Sequence, residues 1–339
     1  MQHSINRRRF LGRSALAIGS AAALHLGGAR PTRAAVPDAL SFQLSWIKSP
    51  QYSGYFSGIE HGIFARHGID ATFNSGGPNV DPLANVASGR SQMGDRPIGP
   101  ILIARDRGIP VRVIGTVFQK SPFCLISRAS NPIKRLEDMK GKIISASTST
   151  RPLILYLLKS VGLSDRDVTL VPGSPDPAAL ANGQTDAMAG YSTNQGIILQ
   201  TRGVEIFMLN VQELGVPETT GTIYAREDFL DQNRDIVVRF LRAAAESWRH
   251  CLAHPEESAK LMVEKYGAPG LDYKAALAEV KASAPFIEEG PRGKAGLLSL
   301  DLDLYQKIVE VYHGAGMLKN KIDVKDLCDS SFVEAALKV

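Results

Sequence analysis

The chain has 339 residues, 39 of them Lys or Arg against 34 Asp or Glu, for a formal charge of +5. Residues 1–35 hold six arginines and no acid, which leaves 33 basic against 34 acidic residues and a near-neutral body. The excess charge is therefore an N-terminal appendage, and a nucleic-acid binder is excluded on its distribution. An apolar content of 44% with 22% charged residues suits a chain that buries real cores, roughly two domains beyond residue 35. Cys124, Cys251 and Cys328 are an odd number, far apart, and lack CxxC or CxxH spacing. They argue against a disulfide scaffold or a structural metal site and read as small buried hydrophobes, with at most one bridge.

The elements follow in chain order. Asn6-Arg7-Arg8-Arg9-Phe10-Leu11-Gly12 resembles the twin-arginine export motif, and the apolar stretch 15–28 after it is too short to span a bilayer, which takes about 20 residues. Small residues at Arg33-Ala34-Ala35 offer a cleavage site, so residues 1–35 read as a twin-arginine export signal and the periplasm as the destination. Retention of the segment as an uncleaved anchor stays open. Next come a strand over 41–46, a helix over 52–67 with Tyr55, Phe56, Ile59, Ile63 and Phe64 on one face, and a strand over 69–75. After Gly76-Gly77-Pro78 the pattern predicts helix 81–88, strand 91–94, helix 98–107 and strand 111–118. Alternation of this kind predicts α/β architecture with mostly parallel sheets.

An internal echo points to two similar lobes. Asp81-Pro82 opens a short helix that stops at Gly89 before strand 91–94, and Asp176-Pro177 opens another that stops at Gly183 before residues 186–190. Each unit follows a Gly/Pro loop, Gly76-Gly77-Pro78 or Pro172-Gly173-Ser174-Pro175, of the kind that presents ligands with strand C-terminal ends and helix N-termini. Apolar strands at 122–127 and 219–225 mark the boundaries. Lobe 1 is expected over 36–125 and 221–339, and lobe 2 over 126–220. The C-terminal part reads as helical over 234–254, 256–266, 273–283 and 304–314, with Ile236, Phe240, Ala244, Trp248 and Cys251 forming a core stripe.

Trp46, Gln51-Tyr52-Ser53-Gly54-Tyr55-Phe56, His61-Gly62-Ile63-Phe64, Gly76-Gly77-Pro78, Val86-Ala87-Ser88-Gly89, Lys140-Gly141-Lys142 and Tyr191-Ser192-Thr193-Asn194-Gln195 occur in that order. In this the chain resembles the periplasmic substrate-binding proteins of the sulfonate, nitrate and thiamine-precursor uptake family, over residues 40–265. The Gly76-Gly77-Pro78 loop and the Tyr191–Gln195 stretch are similar to the branch handling thiamine pyrimidine precursors and riboflavin. The resemblance implies a type II-like, hinge-linked two-lobe receptor. It would act as a monomer with the permease and ATPase subunits of an ABC importer, and it would need no cofactor. A sulfonate or nitrate receptor is the alternative within the family. A thiamine pyrimidine synthase-like enzyme is the alternative outside it, disfavoured because the CCCFC signature is absent. His61 and His67 read as solvated, and no metal site is expected.

Candidate ligand-binding residues sit where strands end. Trp46 follows the first strand, with an indole able to stack on a flat ring or to pack in the core. Gln51, Tyr52 and Tyr55 begin the next helix. Gly76, Gly77 and Pro78 let backbone N–H groups approach a ligand, or simply make a tight turn. Arg96 suits an anionic group bidentately, or solvent. Gln119 precedes the first crossing. Ser147 and Thr148 open the helix at Arg151 and serve a ligand or the helix cap alone. Tyr191 and Asn194 combine an aromatic wall with an amide.

Overall fold

The structure, a computed structural model, describes residues 36–290 and 296–338; the export-signal reading falls on residues outside these. The chain runs β1 (Asp38–Gln43), β2 (Ile69–Asn74), β3 (Met93–Arg96) and β4 (Val111–Phe118) through a first sheet. It then crosses to β5 (Phe123–Arg128), β6 (Ile143–Ala146), β7 (Thr169–Pro172), β8 (Ala187–Tyr191) and β9 (Ile206–Asn210) in a second sheet, and returns as β10 (Thr220–Arg226) to the first. The strand orders are β2-β1-β3-β10-β4 and β7-β6-β8-β5-β9. These are the same topology twice. In each sheet three parallel strands are followed by one antiparallel strand, β10 or β5, that has just arrived from the other sheet. The internal echo has its counterpart here: helices Pro82–Ala87 and Ala178–Ala181 each lead into the third strand of a sheet. Asp81 caps the first of them by accepting from the N–H groups of Leu83 and Ala84, with Pro82 in the first turn.

Alternation in β1 turns Leu40 and Phe42 inward, where Phe42 stacks on Phe240 of helix Arg234–Ala253 at 5.5 Å between ring centroids. Phe73, in register with Phe42 across the β1–β2 pair, stacks on Tyr55 at 4.8 Å. Burial of each such ring is worth about 1.5–3 kcal/mol, so this aromatic cluster fixes how helix Ser53–Glu60 lies on the first sheet. Phe240, Ala244, Trp248 and Cys251 of the expected stripe are buried, and Ile236 is partly so. A second cluster joins helices Ile98–Asp106 and Leu302–Gly314 through Ile101, Leu102, Tyr305 and Tyr312. The second sheet has its own core around Leu125, Ile144, Ile154 and Leu157.

Several element boundaries differ from expectation. The strand expected over 41–46 runs Asp38–Gln43, which leaves Trp46 beyond it, and the strand expected over 91–94 runs Met93–Arg96. The helix expected over 52–67 is a 3₁₀ turn Pro50–Tyr52, helix Ser53–Glu60 and a short turn of helix Ile63–Arg66, because Gly62 adopts φ +62° and redirects the chain to bury Ile63 and Phe64. The helix expected over 256–266 ends at Leu261 and continues as a π turn, Met262–Tyr266. The next helix runs on past Ser283 to Glu288. No helix among the described residues is long and apolar enough to cross a membrane. The three cysteines are buried and unpaired.

Candidate ligand-binding cleft

A cleft lies between the two sheets. From the first sheet Ser45, Trp46 and Gln51 reach it after β1, and Pro97 after β3. From the second come Ser147, Ser149 and Thr150 after β6, Gly173 and Ser174 after β7, and Met188 to Tyr191 of β8 with Gln195. Every contributing strand presents its C-terminal end, the side on which open α/β sheets bind ligands. None of these lining residues is charged.

The Trp46 wall is held from behind. The Ser45 N–H donates to Asp95 Oδ1 at 3.0 Å, and the Trp46 N–H donates to the Tyr52 hydroxyl at 3.0 Å. That hydroxyl also lies 2.9 Å from Ser45 Oγ. Gly76 donates its N–H to the Trp46 carbonyl at 2.9 Å. A Cβ at residue 76 would sit 2.4 Å from the Leu44 carbonyl oxygen, so this close backbone approach admits only glycine. Beyond it, the Thr148 hydroxyl donates to the Val80 carbonyl at 3.2 Å, joining the loop after β6 to the loop that begins at Gly76-Gly77-Pro78. Facing Trp46 along the lining, Tyr191 is fixed by its N–H to Gln195 Oε1 at 2.9 Å and by its hydroxyl against Thr220 Oγ1. The Ser147 and Thr150 hydroxyls satisfy each other at 3.1 Å, which leaves the buried Ser149 hydroxyl without a protein partner.

The electrostatics are those of buried carboxyls. Burial pushes the Asp95 carboxyl up to about 7, opposed by the hydrogen bonds from Ser45 and by the Arg96 charge. Glu218 is buried too, its carboxyl driven well above the ordinary range by desolvation, opposed only by the nearby Ile98 backbone N–H. It borders a small void that shares Pro97, Thr150 and Tyr191 with the main cavity.

Of the residues expected from sequence, Trp46, Gln51, Ser147 and Tyr191 line the cavity. Tyr52 lies directly behind it, and Gly76 and Thr148 hold the loops at its margin. Gly77 and Pro78 belong to that marginal loop and do not line it. Tyr55 does not face the cavity; its ring is packed between Phe73 and Trp248. Arg96 is buried and donates to the Asp81 carboxylate at 3.0 Å. Gln119 donates to the carbonyls of Thr116 and Ser299 at 3.0 and 3.2 Å, beside the crossing from β4 to β5. Asn194 donates to Glu279 Oε2 at 2.7 Å. Ser45, Ser149, Gly173, Ser174, Gln195 and Glu218 were not among the candidates. The echo of the two Gly/Pro loops was the available signal for Gly173 and Ser174. His61 and His67 are not simply solvated, since they lie 3.1 Å from Glu257 and 2.8 Å from Glu246.

Residues 49–258 match the family described as NMT1/THI5 like. The chain belongs to this family. It is similar to the riboflavin-binding protein RibY of Chloroflexus aurantiacus, 26% identical over 327 residues that cover 90% of each chain. A formylaminopyrimidine-binding protein of Halalkalibacterium halodurans is 21% identical over 231 residues, 67% of this chain and 70% of that one. Among solved structures, the alkanesulfonate-binding protein SsuA from Xanthomonas axonopodis pv. citri, bound to MOPS, superposes with a TM-score of 0.67 at 19% identity, covering 87% of this chain and 99% of the other. The fold is accordingly that of the two-lobe periplasmic binding proteins.

Proposed function

We propose that this chain is the periplasmic receptor of an ABC importer and carries a small heteroaromatic molecule, a thiamine pyrimidine precursor or a riboflavin-like compound. The observation that carries this reading is the uncharged cavity between the sheets, walled by Trp46 and Tyr191 and backed by the buried carboxyls of Asp95 and Glu218. Aromatic walls favour a flat ring. Carboxyls kept largely protonated by burial offer a ligand's edge both an acceptor oxygen and an O–H donor, and the lining residues supply no cation to hold a sulfonate or nitrate. Ser149, Gln195 and Gln51 offer neutral hydrogen-bonding groups to the ligand's edges. The relatives that bind riboflavin and formylaminopyrimidine support the same choice.

Closure follows from the topology. The segments between β4 and β5 and between β9 and β10 act as the hinge, so the lobe boundaries expected at 125/126 and 220/221 shift a few residues back to these segments, with β5 in the second lobe and β10 in the first. A ligand that contacts both lobes only when they are closed shifts the population toward closure. Residues 1–35 deliver the protein by the twin-arginine route, and it works as a monomer with permease and ATPase subunits, binding its ligand without turning it over.

A thermal-shift and calorimetric screen with formylaminopyrimidine, riboflavin, an alkanesulfonate and nitrate tests the reading. Stabilisation by a pyrimidine or flavin is expected, with Trp46→Ala weakening it at least tenfold. Stabilisation by the sulfonate alone overturns the heteroaromatic assignment, and covalent capture of pyridoxal phosphate or turnover overturns the receptor assignment.

A further inference from the structure

Away from the cleft, three helices converge on a cluster of metal-ligating side chains. His61 caps the C-terminal end of helix Ser53–Glu60, His250 lies in the last turn of helix Arg234–Ala253, and Glu257 lies in the first turn of helix Pro255–Leu261. One ligand atom from each falls within 4.8 Å of the others. The eight residues of helix Ser53–Glu60 put roughly 12 Å between this cluster and the cleft end of that helix.

The geometry points to a site for one divalent transition-metal cation of the zinc class, held by His61, His250 and Glu257. Two imidazoles and a carboxylate are the donor set such ions take, leaving a fourth position for water. The second shell is built as well. His250 Nδ1 lies 3.0 Å from the buried Ser57 hydroxyl, which fixes the ring and leaves Nε2 as its nitrogen for an ion. His61 Nε2 is shielded from solvent and has no aligned hydrogen-bond partner, although a Glu257 carboxylate oxygen lies 3.1 Å away. The His61 and His250 rings stand 4.2 Å apart between centroids, and His254 stacks on His250 at 4.3 Å, with its Nδ1 on the His250 carbonyl. Arg66, which donates to the His61 carbonyl at 2.7 Å, is engaged by Glu246 at 2.8 Å. A bound ion ties helix Ser53–Glu60 to the junction of the next two helices, which bends at His254 and Pro255.

The test uses the untagged full chain, stripped with chelator and titrated with Zn²⁺ alone by calorimetry, with elemental analysis for stoichiometry. One equivalent should bind at micromolar affinity or tighter. Glu257→Gln, on an exposed side chain that folding does not need, and His250→Gln should each weaken it at least tenfold. Ser57→Ala should weaken it about tenfold through the loss of orientation. His67→Gln, at the separate Glu246 pair, should leave it unchanged. Absence of a saturable single site, or wild-type affinity in Glu257→Gln or in the His61→Gln, His250→Gln double variant, overturns the proposal.

Discussion

Glu279→Gln isolates one buried carboxyl that joins the two sheets' surroundings. Glu279 lies in helix Tyr273–Glu288 and is 3% exposed. Its Oε2 accepts from Asn194 Nδ2 at 2.7 Å, the backbone of Gln51 also bonds the carboxyl, and Oε1 has no partner. Burial outweighs these two bonds and pushes the carboxyl from the ordinary 4.5 to about 8. Between those two values the folded chain keeps a proton that the unfolded chain has released. Stability contributed by this group is therefore complete below pH 4.5 and is lost as pH rises toward 8. At 1.36 kcal/mol for each pH unit the ceiling on the loss is about 4–5 kcal/mol. Glutamine resembles the protonated acid in shape and charge and cannot ionise. The Tm of Glu279→Gln minus that of the native sequence should therefore climb by roughly 8 °C between pH 5 and pH 8.5, taking about 2 °C per kcal/mol for a chain of this size. A constant offset, from the new amide's own unmet hydrogen bond, leaves that slope untouched. Scanning calorimetry or near-UV dichroism at four pH values reads it. A difference that stays flat across the range refutes the argument, because the carboxyl would then be titrating as a solvated one.

Other variants test the wall behind the cleft and the cores. Tyr52→Phe removes the acceptor of the Trp46 N–H and the partner of Ser45 Oγ, so it should cost about 1–3 kcal/mol in denaturant unfolding and loosen ligand binding. Unchanged values in both would remove Tyr52 from the support of Trp46. Gly76→Ala places a methyl 2.4 Å from the Leu44 carbonyl oxygen and should destabilise by about 1–3 kcal/mol, seen as a lowered Tm; a neutral result would show that the loop yields freely. Cys124, Cys251 and Cys328 should be silent to a thiol reagent in the native protein and all react once it is unfolded, since burial pushes the Cys251 thiol up to about 12 and the other two higher. Fast native labelling of any of them would contradict the packing.

Local pattern carried much of this architecture. The strand–helix alternation needed only short windows, and the doubled Asp-Pro helix before a strand is a local signal that reports a global symmetry, since both copies feed the third strand of a five-stranded sheet. What short windows miss is termination by backbone geometry. Nothing in the apolar spacing of residues 52–67 marks Gly62 as the place where φ turns positive, because Ile63 and Phe64 continue the helical stripe in sequence while belonging to a separate turn in space. The antiparallel fourth strand of each sheet was equally illegible. β5 and β10 are bounded by their own turns but paired by chain from the far side of the molecule.

Site residues divide by the same logic. Trp46, three residues past β1, and Tyr191, the last residue of β8, line the cavity while also packing on the core of their own sheet. Arg96 ends β3, yet its guanidinium donates to Asp81, which sits 15 residues upstream and caps the neighbouring helix with the same oxygen. Asn194 is three residues from Tyr191, yet it is claimed by Glu279, 85 residues further on in a helix whose register no local pattern reveals. A polar side chain at a strand's C-terminal end reaches ligand only if the fold leaves it without a better partner. The buried groups without a side-chain partner, Ser149 and Glu218, therefore carry more information about the cleft than the exposed polar residues around it. An unmet hydrogen bond costs about 1–3 kcal/mol in the empty protein, and a ligand that supplies the missing partner recovers that cost on binding. The cleft's specificity should accordingly track donors that reach Glu218 and Ser149 more closely than the ring system that Trp46 and Tyr191 enclose.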